Sequence, residues 1–199
     1  ILNQAAPGGY TPRFTGNITD SSFTMGRSGE IAAGPMSGTA YDVSGSVGRN
    51  ESSFGLNNTF NPSMGPDSPR DFTTGSYIQL AKTFNIDMSK EYGSTLVAYG
   101  AEWRETTFSV ISGEEASWKA GKYATQGFNV GSHGFAGFSP DSAGAFSRRN
   151  YAVYGDVSNQ VNDDLFVQGA IRYEDYSSGI DTTNYKVAFN YRLSDNVAL

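Results

Sequence analysis

Period-two alternation of apolar and polar residues runs through the C-terminal half of this chain. It restricts that half to β-strands with two unlike faces, because successive side chains of a strand point to opposite sides. From Asn184 to Leu193, Tyr185, Val187, Phe189, Tyr191 and Leu193 share one face, and Lys186, Ala188, Asn190 and Arg192 share the other. The preceding stretch repeats the pattern, with Leu165, Val167, Gly169, Ile171 and Tyr173 opposite Phe166, Gln168, Ala170, Arg172 and Glu174. Before it, Tyr151, Val153, Gly155 and Val157 oppose Ala152, Tyr154, Asp156 and Ser158. Short polar links, Asn159 to Asp164 and Ser177 to Thr183, join these three strands into an antiparallel meander.

Upstream the alternation is looser but continues. Val97, Tyr99, Ala101 and Trp103 oppose Ala98, Gly100, Glu102 and Arg104, and Ile78, Leu80, Phe84, Ile86 and Met88 oppose Tyr77, Gln79, Thr83, Asn85 and Asp87. Tyr41, Val43, Gly45 and Val47 oppose Asp42, Ser44, Ser46 and Gly48, and a first strand near Ser21 to Ile31 places Phe23, Met25 and Ile31 together. The reading is about seven strands and the start of an eighth. Links near Ala32 to Thr39, Ser89 to Gly93, Asn159 to Asp164 and Ser194 to Asn196 are short, whereas 51–75 and 110–149 are long. Short links at one end of a sheet and long ones at the other are the asymmetry of transmembrane barrels.

Composition agrees. Glycine is 24 of 199 residues and aromatics are 14%, which suits glycine-aromatic β-structure. Cysteine is absent, so disulfides, thiol nucleophiles and thiolate metal sites are excluded, and the single histidine, His133, cannot by itself build an imidazole metal site. A net charge of -6 speaks against nucleic acid as a partner. No apolar run approaches the ~20 residues of a spanning helix, so any membrane contact is through strands. Ile1 to Gly9 lacks the features of a signal peptide and a fresh alternation begins at Asn196 to Leu199, so the chain reads as a fragment.

The same alternation also fits a soluble sandwich, whose apolar face packs on a second sheet. Charges at mid-strand on the polar face, and Trp103, Tyr173 and Tyr185 toward strand ends of the apolar face, favour a wet lumen and an interfacial aromatic belt. Lys82 is out of place, since it shares the face of Leu80 and Phe84; it either snorkels to the rim or marks a bulge. On this reading Glu102, Arg104, Arg172, Glu174, Lys186 and Arg192 face the lumen. Glu102 and Glu174 resemble a glycosidase pair, but Arg104 and Arg172 beside them point to ion pairing.

The loop 110–149 holds many aromatics among glycines, and a link of that length is commonly functional. Trp118, Tyr123, His133, Phe135 and Phe138 are its candidate ligand contacts, as rings for a sugar or chelate; the alternative is that they pack the loop against its neighbours. The loop tip is expected to tolerate removal of Ala116 to Gly137.

Several ordered blocks carry a family resemblance. Asn57 to Pro69 is similar to an extracellular loop, Ala98-Tyr99-Gly100-Ala101-Glu102-Trp103-Arg104 to a barrel strand, and Gly137-Phe138-Ser139-Pro140-Asp141 to the loop after it. Asn150 to Tyr154, Arg172 to Tyr176 and Tyr191 to Leu199 follow in order. Together they resemble a proteobacterial branch of the TonB-dependent outer-membrane receptors, from about Tyr10 to Leu199. The resemblance implies an all-β fold, residues 1–199 being an antiparallel meander within a large transmembrane β-barrel of about 22 strands with a plugged lumen. It implies location in the bacterial outer membrane, contact with its lipid, and uptake of a small-molecule nutrient such as an iron chelate, cobalamin or a saccharide. It also implies coupling to the TonB complex through a segment absent here, as is the plug domain. No catalysis, cofactor or metal is expected. The competing function is a soluble carbohydrate-binding or adhesin sandwich.

Overall fold

A computed structural model describes residues 4, 6–194 and 197–198. Its strands are β1 (Arg13–Glu30), β2 (Ala40–Asn57), β3 (Phe72–Tyr92), β4 (Thr95–Ser112), β5 (Gly144–Gln160), β6 (Leu165–Tyr176), β7 (Ile180–Ser194) and β8 (Val197–Ala198). They form one sheet in chain order, β1 to β8, each strand hydrogen-bonded to its sequence neighbour. The sheet is the antiparallel meander that the alternation implies, and the described residues form no second sheet for a sandwich. The predicted link at Ser194 to Asn196 and the block ending at Leu199 fall partly outside the described residues.

The strands outrun the alternation. Residues 51–57, 72–75, 110–112 and 144–149, read as loop, are paired strand, so the long links contract to 58–71 and 113–143. The reason is physical: a ladder needs only backbone N–H and C=O groups, whereas alternation appears only where one face meets an apolar medium. A spanning strand needs about 9–11 residues, and the longer strands run well past that.

The chain divides into two compact units. One comprises residues 22–47, 81–106 and 148–199. Its apolar and polar rows are in register across β5, β6 and β7. Val153 pairs with Tyr173, Ile171 with Tyr185 and Val167 with Phe189 on one face. Tyr154 pairs with Arg172 and Ala170 with Lys186 on the other. The apolar row is open to its surroundings, with Val187 87% exposed. On the opposite face the Tyr154 hydroxyl donates to Asp87 Oδ1 at 2.6 Å. Its ring lies over Gly100, where a Cβ would sit 2.6 Å from both Tyr154 Cε1 and the Ile86 carbonyl oxygen.

The other unit comprises residues 1–21, 48–80 and 107–147, and holds the densest packing. Leu56, Phe60 and Phe72 are buried there beside fully buried Thr59, Asn61, Ser63, Thr74 and Ser117. Asn61 is the hub. Its Nδ2 donates to the carbonyls of Ala116 (3.0 Å) and Lys119 (2.9 Å), and its Oδ1 accepts from the Ser63 amide (3.1 Å) and hydroxyl (2.7 Å). The Ser63 hydroxyl accepts from the Gly121 amide at 2.8 Å, and the Ser63 carbonyl from the Tyr123 amide at 2.8 Å. A short helix, α1 (Glu115–Trp118), ends in buried Ser117, whose carbonyl accepts from the amides of Ser132 and Gly137, both at 2.9 Å. Gly137 comes so close to Ser117 that a Cβ there would overlap its side chain. Loop 113–143 is thus a folded body, and deleting 116–137, expected to be tolerated, would remove Ser117 and both acceptors of the Asn61 amide.

Two outcomes follow. Val187→Arg should cost about 2–4 kcal/mol in a bilayer if Val187 lies near the midplane, read from denaturant unfolding in lipid vesicles; an unchanged midpoint would contradict the register. Asn61→Ala should cost about 1–3 kcal/mol for each buried partner it leaves unpaired, and hydrogen exchange at the Ser63, Gly121 and Tyr123 amides should accelerate.

Candidate functional site

The two long links are fastened to one another and to the strand ends. The Phe138 amide donates to the Thr74 carbonyl at 2.9 Å, and the Phe138 carbonyl accepts from the Gly113 amide at 3.0 Å. These bonds clip the loop to β3 and to the residue after β4. The Phe135 carbonyl accepts from the Ser132 hydroxyl at 2.7 Å. Both rings are therefore set by backbone bonds.

They enter a cluster of six aromatics. Phe138 stacks on Tyr77 at 4.9 Å between centroids, and Tyr77 meets Phe108 at 5.4 Å and Phe54 at 5.4 Å. Phe135 meets Phe14 at 5.3 Å, Phe54 at 6.0 Å and Phe138 at 5.8 Å, mostly edge to face. These spacings are those of favourable aromatic pairs. The cluster is unsealed, since Phe14 and Phe108 are exposed and Tyr77 borders on it. Ring faces held in fixed places and open to solvent can take a planar or apolar ligand.

The remaining loop candidates lie apart from it. Nδ1 of His133 is 2.8 Å from the Tyr10 hydroxyl, and Tyr10 packs on buried Phe60 at 4.6 Å. The guanidinium of Arg70 lies 5.9 Å from each of those two rings. Tyr123 pairs edge-on with Phe128 at 6.2 Å and lies 5.1 Å from the Lys122 amine. That amine is hydrogen-bonded to Asp67 at 2.5 Å, and the bond, then the carboxylate charge, holds Lys122 above its ordinary pKa. Trp118 is half-buried and its Nε1 donates to the Gly113 carbonyl at 3.1 Å. The structure therefore brings Phe135 and Phe138 together and keeps Trp118, Tyr123 and His133 elsewhere.

Sequence reasoning missed Phe14, Phe54, Tyr77 and Phe108. Tyr77 was read only as a member of the polar row of its strand, and the other three were not singled out. For Phe54, Tyr77 and Phe108 the available signal was an aromatic on β2, β3 and β4 next to the long links, whereas Phe14 on β1 carried no such signal.

The charged row forms a network of its own. Arg172 Nη2 lies 2.9 Å from Glu174 Oε1 and 3.4 Å from Glu102 Oε1, and Arg104 Nη2 lies 3.2 Å from Glu102 Oε1. Lys186 Nζ donates to Gln168 Oε1 at 2.9 Å, and Gln168 Nε2 to Asp156 Oδ2 at 2.7 Å. Arg192 is exposed, and its amide donates to the Asp164 carbonyl at 2.8 Å. Glu102 and Glu174 share the Arg172 guanidinium and Glu102 also meets Arg104, so two cations face two carboxylates in an ion-pair network. Among the described residues no group of three metal-ligating side chains occurs. Among the described residues no helix is long and apolar enough to cross a membrane, which leaves crossing by strands open.

None of the curated proteins matches the chain. Among solved structures it is similar to the siderophore receptor PirA from Acinetobacter baumannii, with a TM-score of 0.56 and 15% identity over 91% of this chain. At that identity the likeness speaks for the fold, and the chain spans 24% of that receptor's length. The family described as TonB dependent receptor-like, beta-barrel, matches residues 3–199. With nearly its whole length matched, this chain belongs to the TonB-dependent receptors, as part of their outer-membrane β-barrel.

Proposed function

We propose that the chain supplies barrel wall and part of the ligand mouth of a receptor that takes up a scarce nutrient, such as an iron chelate, cobalamin or a saccharide. Family membership makes it a piece of an outer-membrane receptor and not of an enzyme. The observation that carries the ligand reading is the open aromatic cluster, because its rings are positioned by the loop backbone and left accessible.

The solved relative is named for siderophores, and flat metal-chelating groups are a chemistry that stacked rings accept. An iron chelate is therefore the first ligand to try. Energy coupling, on this reading, belongs to a plug and to a segment that contacts the TonB complex, both outside these residues. The Arg172 network then lines a wet lumen, where paired charges are tolerated.

Phe135→Ala in the longer receptor should weaken surface binding of its ligand by about two- to tenfold, the worth of one well-placed aromatic pair. Binding is read on intact cells against receptor abundance, and unchanged affinity would remove the cluster from the mouth. An epitope placed after Gln126, in the exposed turn at Gly127, should be readable on intact cells. Labelling only after outer-membrane rupture would reverse the assigned topology.

A further inference from the structure

Charges interrupt the apolar face within the unit of residues 22–47, 81–106 and 148–199, and three of them lie together. Lys82 stands two residues from Phe84 on β3, Glu105 two residues from Trp103 on β4, and Arg149 two residues from Tyr151 on β5. Each therefore shares its strand face with an adjacent aromatic. The three meet: Lys82 Nζ lies 3.3 Å from Glu105 Oε1, and Arg149 Nε lies 3.4 Å from Glu105 Oε2. No bulge is needed to explain Lys82; it is an ion-paired member of the outward face.

One carboxylate between two cations leaves a net positive charge and unused donors, since an ammonium offers three N–H groups and a guanidinium five. The exposure is uneven in the same sense. Lys82 is 47% and Arg149 60% exposed, against 23% for Glu105. The cations face outward and the acid is shielded between them. At a bilayer midplane such charges cost several kcal/mol, but the aromatics beside them are those of an interface, where the cost falls to about 0–1 kcal/mol.

An open groove of about 970 Å³ adjoins Lys82, with Phe23, Met25, Arg27, Val43, Phe84 and Trp103 among its lining residues. Apolar walls with a cation beside them match a molecule that has an apolar chain and an anionic head. We propose that this face binds a phosphorylated lipid of the membrane, its phosphate between Lys82 and Arg149 and an acyl chain in the groove. The charge complementarity decides the occupant: a neutral chain would leave the unused donors unmet, and a soluble anion would leave the groove empty. The inference rests on the receptor reading only for placing this face against lipid.

The test uses the longer receptor in phosphatidylcholine nanodiscs containing a minor fraction of phosphatidylglycerol, with retained lipid identified by native mass spectrometry. The wild type should retain phosphatidylglycerol over phosphatidylcholine by about fivefold to tenfold, as two near-surface cations imply. The K82Q/R149Q double variant should lose that preference, whereas K186Q, on the opposite face, should keep it. Glu105→Gln frees both cations and should raise the preference; a trio serving only as a structural ion pair would lose stability in that variant without changing lipid selection. Equal retention in the wild type and the double variant overturns the site, as does full displacement of the lipid by soluble glycerol phosphate. Because surface exposure of the epitope at Gly127 is read separately, a wild type that shows no lipid preference while that exposure is intact overturns this site and leaves the receptor reading standing.

Discussion

Everything in this chain depends on the pairing of backbone N–H and C=O groups between adjacent strands. In hydrocarbon no water replaces a missing partner, so a spanning segment that is not helical must be hydrogen-bonded to neighbours on both sides. The chain-order sheet meets that demand by pairing each strand with its sequence neighbour. It also explains how a membrane wall can have a mean hydropathy of -0.41. Only alternate residues meet lipid, so half of every spanning strand is free to be polar, and the ends beyond the bilayer carry no apolar requirement at all.

That rule decides what could be read from residues alone. β6 and β7 were legible because Leu165 to Tyr173 and Tyr185 to Leu193 meet unlike media on their two faces. The early part of β1 and the end of β2 were not, because Phe14, Ile18, Phe54 and Leu56 are too few among polar residues to set a period. At the site, Phe135 and Phe138 stood out as aromatics in a glycine-rich link, but their partners did not. Alternation tells which way Tyr77 or Phe108 points, and it is silent on which loop residue returns to meet it. Trp118 was chosen for its ring, yet its indole N–H is taken up by the Gly113 carbonyl, a local bond that no spacing announces.

The long loop keeps its shape by an uncommon means. The interior it shares with the link 58–71 is largely hydroxyls and amides, Asn61, Ser63 and Ser117, with donors and acceptors closed on one another and on nearby carbonyls. Such a network is costly when incomplete and directional when complete. It fixes Phe135 and Phe138 without spending their rings on a core, which leaves aromatic area accessible on a body that does not collapse. The shape of the mouth and the availability of its rings thus have the same origin.

The packing of Tyr154 over Gly100 has a consequence for assembly. A slip of one residue between strands exchanges lipid-facing and lumen-facing side chains and is rejected by hydrophobicity. A slip of two preserves the in-and-out pattern, so the lipid cannot penalise it. Moved by two along β4, however, the Tyr154 ring would meet Ala98 or Glu102 in place of Gly100, and either would put a side chain where the ring must lie. The glycine thereby works as a keyway that admits one alignment among those the bilayer regards as equivalent, and errors of pairing are rejected locally before the wall is complete.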